Sequence, residues 1–127
     1  FTCGDNVIIK GIEEAIFRIF ENLVDNAVKY THSGGQVTIR LLEDDDTATI
    51  QIVDNGIGIP SESIPKLFSE FYRAPNAKQE QVQGTGLGLS IVKKFVIMHG
   101  GSISISSQVD VGTTFTVTLL KEPQLTI

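Results

Sequence analysis

Apolar residues recur through residues 12–31 at the helical period of about 100° per residue. Ile16, Phe20, Leu23, Ala27 and Tyr30 form one stripe, with Glu14, Arg18, Glu21 and Asp25 opposite it. Asn22, Asn26 and Lys29 make a third stripe at the rim of the apolar face. Gly34 and Gly35 stop the helix. The period then falls to two: Val37, Ile39 and Leu41 alternate with Thr38 and Arg40, and Ala48, Ile50 and Ile52 with Thr49 and Gln51. Two half-buried strands are predicted, joined by the acidic loop from Glu43 to Asp46, which reads as a solvated turn rather than a metal site.

A short helix is predicted through Ile64, Pro65, Lys66, Leu67 and Phe68, with Ser61 or Ser63 as its cap. Residues 74–81 carry almost nothing to bury and lead to a glycine, so a mobile loop is expected over 74–84. From Leu87 the helical period returns, with Leu89, Val92, Val96 and His99 on one face, and Gly100 and Gly101 end it. Two strands close the pattern, one around Ile103 and Ile105 and one in which Phe115, Val117 and Leu119 alternate with threonines. This order predicts an α+β, two-layer α/β sandwich: helices on one face of a mixed, mostly antiparallel sheet, in a single domain over 1–127 with a loose tail at 123–127.

Composition narrows the function classes. With 127 residues, 41% of them hydrophobic and 20% charged, the chain can bury a core and does not resemble a disordered segment. A net charge of −5 argues against a nucleic-acid partner, because phosphate-backbone contact needs a basic face. Any phosphate must therefore be held by local features. The single cysteine, Cys3, excludes an intramolecular disulfide framework. No apolar run approaches the roughly 18 residues of a membrane span, and a cytoplasmic location is expected, with any membrane anchor in other parts of a longer protein.

Three clusters carry the chemistry. Asp54 follows a strand and precedes Gly56 and Gly58, where a side chain at a sheet end can point into a pocket. A carboxylate only accepts hydrogen bonds, so it suits an exocyclic amine such as that of adenine, with Gly58 giving a flat ring close access and Ile59 packing on it. The competing reading is an Asx turn in a plain loop. Asn22 and Asn26 stand one helical turn apart, with amide oxygens suited to Mg2+, while Lys29 reaches for a phosphate and Tyr30 packs beside the base; solvated flank residues are the alternative. Gly84, Thr85, Gly86, Leu87 and Gly88 lead into a helix whose free N–H groups and dipole favour an anion. No Walker Lys-Ser/Thr pair follows them.

Together these stretches resemble the catalytic and ATP-binding domain of bacterial two-component sensor histidine kinases, in a superfamily that also holds DNA gyrase, a heat-shock chaperone and the MutL repair protein. Asn22-Leu23-Val24-Asp25-Asn26-Ala27-Val28-Lys29-Tyr30 is similar to the N box and Asp54-Asn55-Gly56-Ile57-Gly58-Ile59-Pro60 to the G1 box. Leu67-Phe68-Ser69-Glu70-Phe71-Tyr72-Arg73 is similar to the F box and Gly84-Thr85-Gly86-Leu87-Gly88-Leu89-Ser90 to the G2 box.

The resemblance implies a Bergerat fold binding ATP and Mg2+, with Asn26 as metal ligand and Asn22 near it. It implies Lys29 and Arg73 on phosphates, Asp54 on the adenine amine, Thr113 supporting the base through water, and Gly84 to Leu87 offering backbone N–H groups. It further implies transfer of the γ-phosphoryl group to a histidine on a separate helical dimerisation domain, and a response-regulator receiver domain downstream. That dimerisation and phosphotransfer domain is expected upstream, because neither His32 nor His99 lies in a phosphoacceptor-like motif. The domain alone is expected to be monomeric and the full kinase homodimeric. A serine kinase of anti-sigma type, a stand-alone ATPase and a non-transferring ATP sensor are the rivals; the F box favours the histidine kinase.

Overall fold

A computed structural model describes residues 10–69, 75 and 88–122. Helix α1 (Glu13–Lys29) begins with Glu13 and Glu14 and ends with Lys29, charges that complement its dipole. Its buried stripe is Ala15, Ile19, Leu23 and Ala27. Leu23 and Ala27 lie where the periodicity put them, but Ile16, Phe20 and Tyr30 are only half-buried. The buried arc is turned because α1 packs against both strand β2 (Thr47–Asp54) and helix α2 (Gly88–Met98). Small alanines fit that double contact, and a hydrophobicity pattern gives them little weight.

Strand β1 (Val37–Glu43) pairs with β2 through the acidic hairpin. Asp44 Oδ1 accepts hydrogen bonds from the N–H groups of Asp46 and Thr47 at 3.0 and 2.8 Å and from the Thr47 hydroxyl at 2.9 Å. These bonds, the Thr47 N–H foremost, hold its carboxyl below the usual value. The acidic residues thus close a turn, and among the described residues no three His, Cys, Asp or Glu side chains group as a metal site. Ser61–Lys66 is a short 3-10 helix containing Pro65. Neither Ser61 nor Ser63 caps it: Pro60 holds the cap position, its carbonyl accepts the Ser63 N–H at 2.9 Å, and Ser63 is buried.

Strands β3 (Ser102–Gln108) and β4 (Gly112–Leu120) complete a four-stranded sheet of order β1-β2-β4-β3. All pairings among the described strands are antiparallel, the antiparallel form of the mixed, mostly antiparallel sheet expected from the sequence. The register stacks apolar rungs: Leu41, Ile50, Val117 and Ile103 form one, and Ile39, Ile52, Phe115 and Ile105 the next. On this face sit Ile19, Leu23, Val92 and Val96 of the two helices, closing the core. The opposite face is polar, with Gln51 Nε2 donating to Thr116 Oγ1 at 3.4 Å.

His99 ends α2 fully buried. Its Nε2 accepts the Ile12 N–H at 3.0 Å, and its Nδ1 lies 2.8 Å from the Phe95 carbonyl, to which it must donate. Both nitrogens are satisfied only by the neutral ring, so His99 serves here as a neutral link from the end of α2 to the start of α1 and not as a helix-end cation.

The same link makes a steric demand. A Cβ at Gly11 would stand 2.6 Å from the His99 ring. Gly11→Ala should lower unfolding free energy by about 1–3 kcal/mol in denaturant melts. Adding His99→Ala should remove most of that penalty, since the clash then has no partner; a penalty of the same size in both backgrounds would show that Gly11 is needed for another reason.

Candidate functional site

Asp54, Thr113 and Ser107 occupy the next rung of the sheet, on its helix-covered face. Asp54 faces Thr113 in the β2–β4 register, and Thr113 faces Ser107 in the β4–β3 register. The apolar stripe of each strand ends there in a group that hydrogen-bonds. Asp54 is 7% exposed and Thr113 6%. Asp54 Oδ1 accepts the Gly56 N–H at 2.9 Å, the bond of an Asx turn. The Asx turn of the competing reading is therefore formed, and its bond fixes the carboxylate in place. Loss of water pushes its pKa above the ordinary 3.8, while hydrogen bonds from the backbone of Gly56 and Thr113 oppose that rise.

The segment after β2 is held from several sides. Asn55 donates its N–H to the Gln36 carbonyl at 3.3 Å and accepts the Gln36 N–H on Oδ1 at 2.8 Å. Ile57 is buried against Tyr30, and its N–H reaches the Tyr30 carbonyl at 3.0 Å. The Ile57 carbonyl accepts from Asp110 at 2.9 Å, and the Ile59 N–H donates to Ser107 Oγ at 2.8 Å. Gly58 has φ +73°, and a Cβ there would strike the Gln108 carbonyl. Its glycine is thus required by the β3–β4 connection on its own account. Gly112, with φ +145°, lies equally tight against the Asp54 carbonyl.

Across from the sheet end, α1 carries the amides. Asn22 Nδ2 donates to the Arg18 carbonyl at 2.8 Å, and a Cβ at Gly88 would stand 3.1 Å from Asn22 Oδ1. The amide oxygen is therefore turned toward the first residue of α2. Asn26 is half-buried. Lys29 pairs with Asp25 at 2.9 Å along its own helix, both side chains well exposed. Leu67 is buried, and the Lys93 ammonium lies 5.2 Å from the Phe68 ring, tying this segment to α2. Arg73, Gly84, Thr85, Gly86 and Leu87, with Phe71, Tyr72 and, apart from Pro75, the loop expected over 74–84, lie outside the described residues.

Sequence reasoning missed Ser107. Its Oγ is 2.8 Å from Ile59 N, 2.9 Å from the Gly112 carbonyl and 2.8 Å from Thr113 Oγ1. The signal was present in the alternation, since Ser107 shares the face of Ile103 and Ile105.

A buried carboxylate and hydroxyl at a sheet end, with amide oxygens on a facing helix, can accept hydrogen bonds from a ring amine and hold a hard cation. Residues 11–123 match the family described as histidine kinase-, DNA gyrase B- and HSP90-like ATPase. The chain belongs to this ATPase family. Named sensor proteins are similar to it in sequence over most of its length. The sensor histidine kinase WalK of Bacillus subtilis is 42% identical over 88% of this chain and 19% of its own length. The phosphate regulon sensor protein PhoR of Pseudomonas aeruginosa is 42% identical over 87% of this chain and 25% of its own. The chain thus spans a quarter or less of these relatives. Among solved structures, the mycobacterial sensor histidine kinase MprB superposes with TM-score 0.78 at 31% identity, over 91% of this chain and 78% of that one. The catalytic domain of histidine kinase ThkA gives 0.76 at 29%, over 91% and 73%.

Asp54 yields a prediction with a defined sign. Its folded pKa lies above 3.8, so its contribution to stability is present below that value and is lost as pH rises through the raised pKa. The stability advantage of the native ATPase domain over Asp54→Asn should therefore shrink from acid to neutral pH in denaturant melts. At neutral pH the same variant should bind ATP about tenfold or more weakly, having lost a buried charged acceptor. Unchanged ATP affinity in a fluorescent-nucleotide titration would remove Asp54 from the site.

Proposed function

We propose that this ATPase domain is the catalytic part of a sensor histidine kinase, binding ATP with Mg2+ and transferring the γ-phosphoryl group to a histidine on a separate helical dimerisation domain. The observation that carries the ATP site is Asp54, a buried carboxylate fixed by Gly56 at the end of β2 beside Thr113. The choice of histidine as acceptor rests on the similarity to proteins named as sensor histidine kinases. A response-regulator receiver domain would take the phosphoryl group next. The whole protein would act as a homodimer facing the cytoplasm.

The α1 amides fit a hard cation. Mg2+ takes one or two protein oxygens and the rest from phosphates and water. Asn22 has committed its Nδ2 to Arg18, which leaves its oxygen for the site. For Asn26, no side-chain hydrogen bond is formed among the described residues, so its amide oxygen is available as the ligand. When bound, Mg2+ offsets negative charge on the phosphate oxygens. Lys29 would exchange Asp25 for a phosphate at small cost, because exposed ion pairs contribute only about 0–1 kcal/mol. Arg73, Gly84, Thr85, Gly86 and Leu87 are assigned to the phosphates on the motif alone, and Tyr30, Gly56, Gly58, Ile59 and Thr113 to the base side.

In the step itself, an imidazole nitrogen of the acceptor attacks the γ-phosphorus as the bond to the bridging oxygen breaks and ADP leaves. Positioning and charge neutralisation do most of the work in such transfers. The acceptor is expected on another domain: His99 uses both nitrogens in the core, and His32, though exposed in the turn after α1, lies in no phosphoacceptor-like motif.

Incubated with Mg2+ and labelled ATP, the chain alone should bind nucleotide without labelling itself. It should phosphorylate a separately supplied helical-hairpin domain in trans, giving an acid-labile, base-stable product. Asn26→Asp should abolish that transfer while the apo domain still folds. Label on His32 or His99, or an acid-stable product on a partner's serine, would overturn the histidine-kinase assignment.

A further inference from the structure

We propose that Ser107 sets the hydrogen-bond polarity of the base site: its hydroxyl fixes Thr113 as an acceptor, so that the rung favours a ring edge bearing an amine over one bearing a carbonyl. This inference rests on the assignment of Asp54 to an adenine site.

Proton counting carries it. Ser107 Oγ has three polar neighbours within 2.9 Å and a single proton. The Ile59 N–H at 2.8 Å can only donate to it. The Gly112 carbonyl at 2.9 Å can only accept, so the serine proton goes there. Thr113 Oγ1, at 2.8 Å, must then donate its own proton to Ser107. The direction is imposed because the chain ends on a backbone carbonyl that cannot be reversed. Thr113 is left with lone pairs only, and its neighbour across the register, Asp54, is likewise an acceptor. Both groups are almost fully buried, where mismatched polar groups are costly. A ring amine placed against this pair meets acceptors; a ring carbonyl meets two groups that cannot donate to it. Ser107 need not touch the nucleotide, so it is a positioning residue acting through Thr113.

Removing the serine hydroxyl frees Thr113 to turn and donate, which a ring carbonyl would welcome. The test measures ATP and inosine triphosphate affinities, because the two differ on the ring edge that carries an amine in one and a carbonyl in the other. In Ser107→Ala the preference for ATP should narrow by about five- to tenfold, the worth of one buried hydrogen bond. Ser107→Thr, which keeps a hydroxyl, should restore it. In a Thr113→Val background, Ser107→Ala should change the preference no further. Should Ser107→Ala melt before titration, Ser107→Cys keeps a similar shape with a weak acceptor and carries the same expected narrowing. Equal weakening of both nucleotides would mean that Ser107 merely braces Ile59, and that outcome overturns the proposal. So would a narrowing that persists undiminished in the Thr113→Val background. Asp54→Asn separates the two levels: if it weakens ATP while Ser107 variants keep the native preference, only Ser107's role falls. If Asp54→Asn leaves ATP binding intact, the adenine-site assignment falls and takes this inference with it.

Discussion

The antiparallel register of β2, β4 and β3 is the constraint on which the rest depends. It brings inward-facing side chains level across three strands, so that two apolar rungs, Ile50–Val117–Ile103 and Ile52–Phe115–Ile105, are followed by one polar rung, Asp54–Thr113–Ser107. A slip of one residue would turn every one of these side chains to the opposite face. The apolar rungs seat α1 and α2 through Ile19, Leu23, Val92 and Val96. The polar rung lies where that packing ends. Core and candidate site are therefore successive layers of one ladder.

Burying that rung requires partners for its polar atoms. The fold supplies them from loops brought close by the same register. Gly56 reaches Asp54, Ile59 and Gly112 meet Ser107, and Thr113 bonds Ser107 directly. The glycines are required at the points where backbone passes backbone, as Gly58 does at Gln108 and Gly112 at Asp54. The result is a loop held at Gln36, Tyr30, Asp110 and Ser107, rigid enough to present one carboxylate in one orientation. This preorganisation has a cost in stability, visible in the raised pKa of Asp54. Binding sites retain such costs when a ligand repays them.

Much of this was legible in the chain itself. Period two gave the four strands and period 3.6 the two long helices, because binary patterning and the sheet's two-residue alternation are local properties. Four ordered motifs pointed to the family, and the resemblance they carry made Asp54, Asn22, Asn26 and Thr113 candidates for the site without any coordinates. Sequence also carried Ser107 in plain view, as a serine on the face of Ile103 and Ile105, but alternation alone does not say whether a polar residue at a strand end meets solvent or a buried partner.

Tertiary structure decided the rest. The buried arc of α1 runs through Ala15 and Ile19 because two surfaces press on the helix at once, and periodicity knows nothing of the second. Pro60 and not a serine begins the 3-10 turn, since backbone geometry there overrides capping preference. His99 is a neutral tie between two helix ends because Ile12, eighty-seven residues earlier, offers its N–H. The same holds for the direction of the protons between Thr113, Ser107 and Gly112: it follows from distances among groups on different strands. The sequence by itself determined which faces are apolar and which motifs are present. Only the packed structure decided which polar atoms meet, because hydrogen-bond partners distant in sequence are set by register and packing and leave no local pattern.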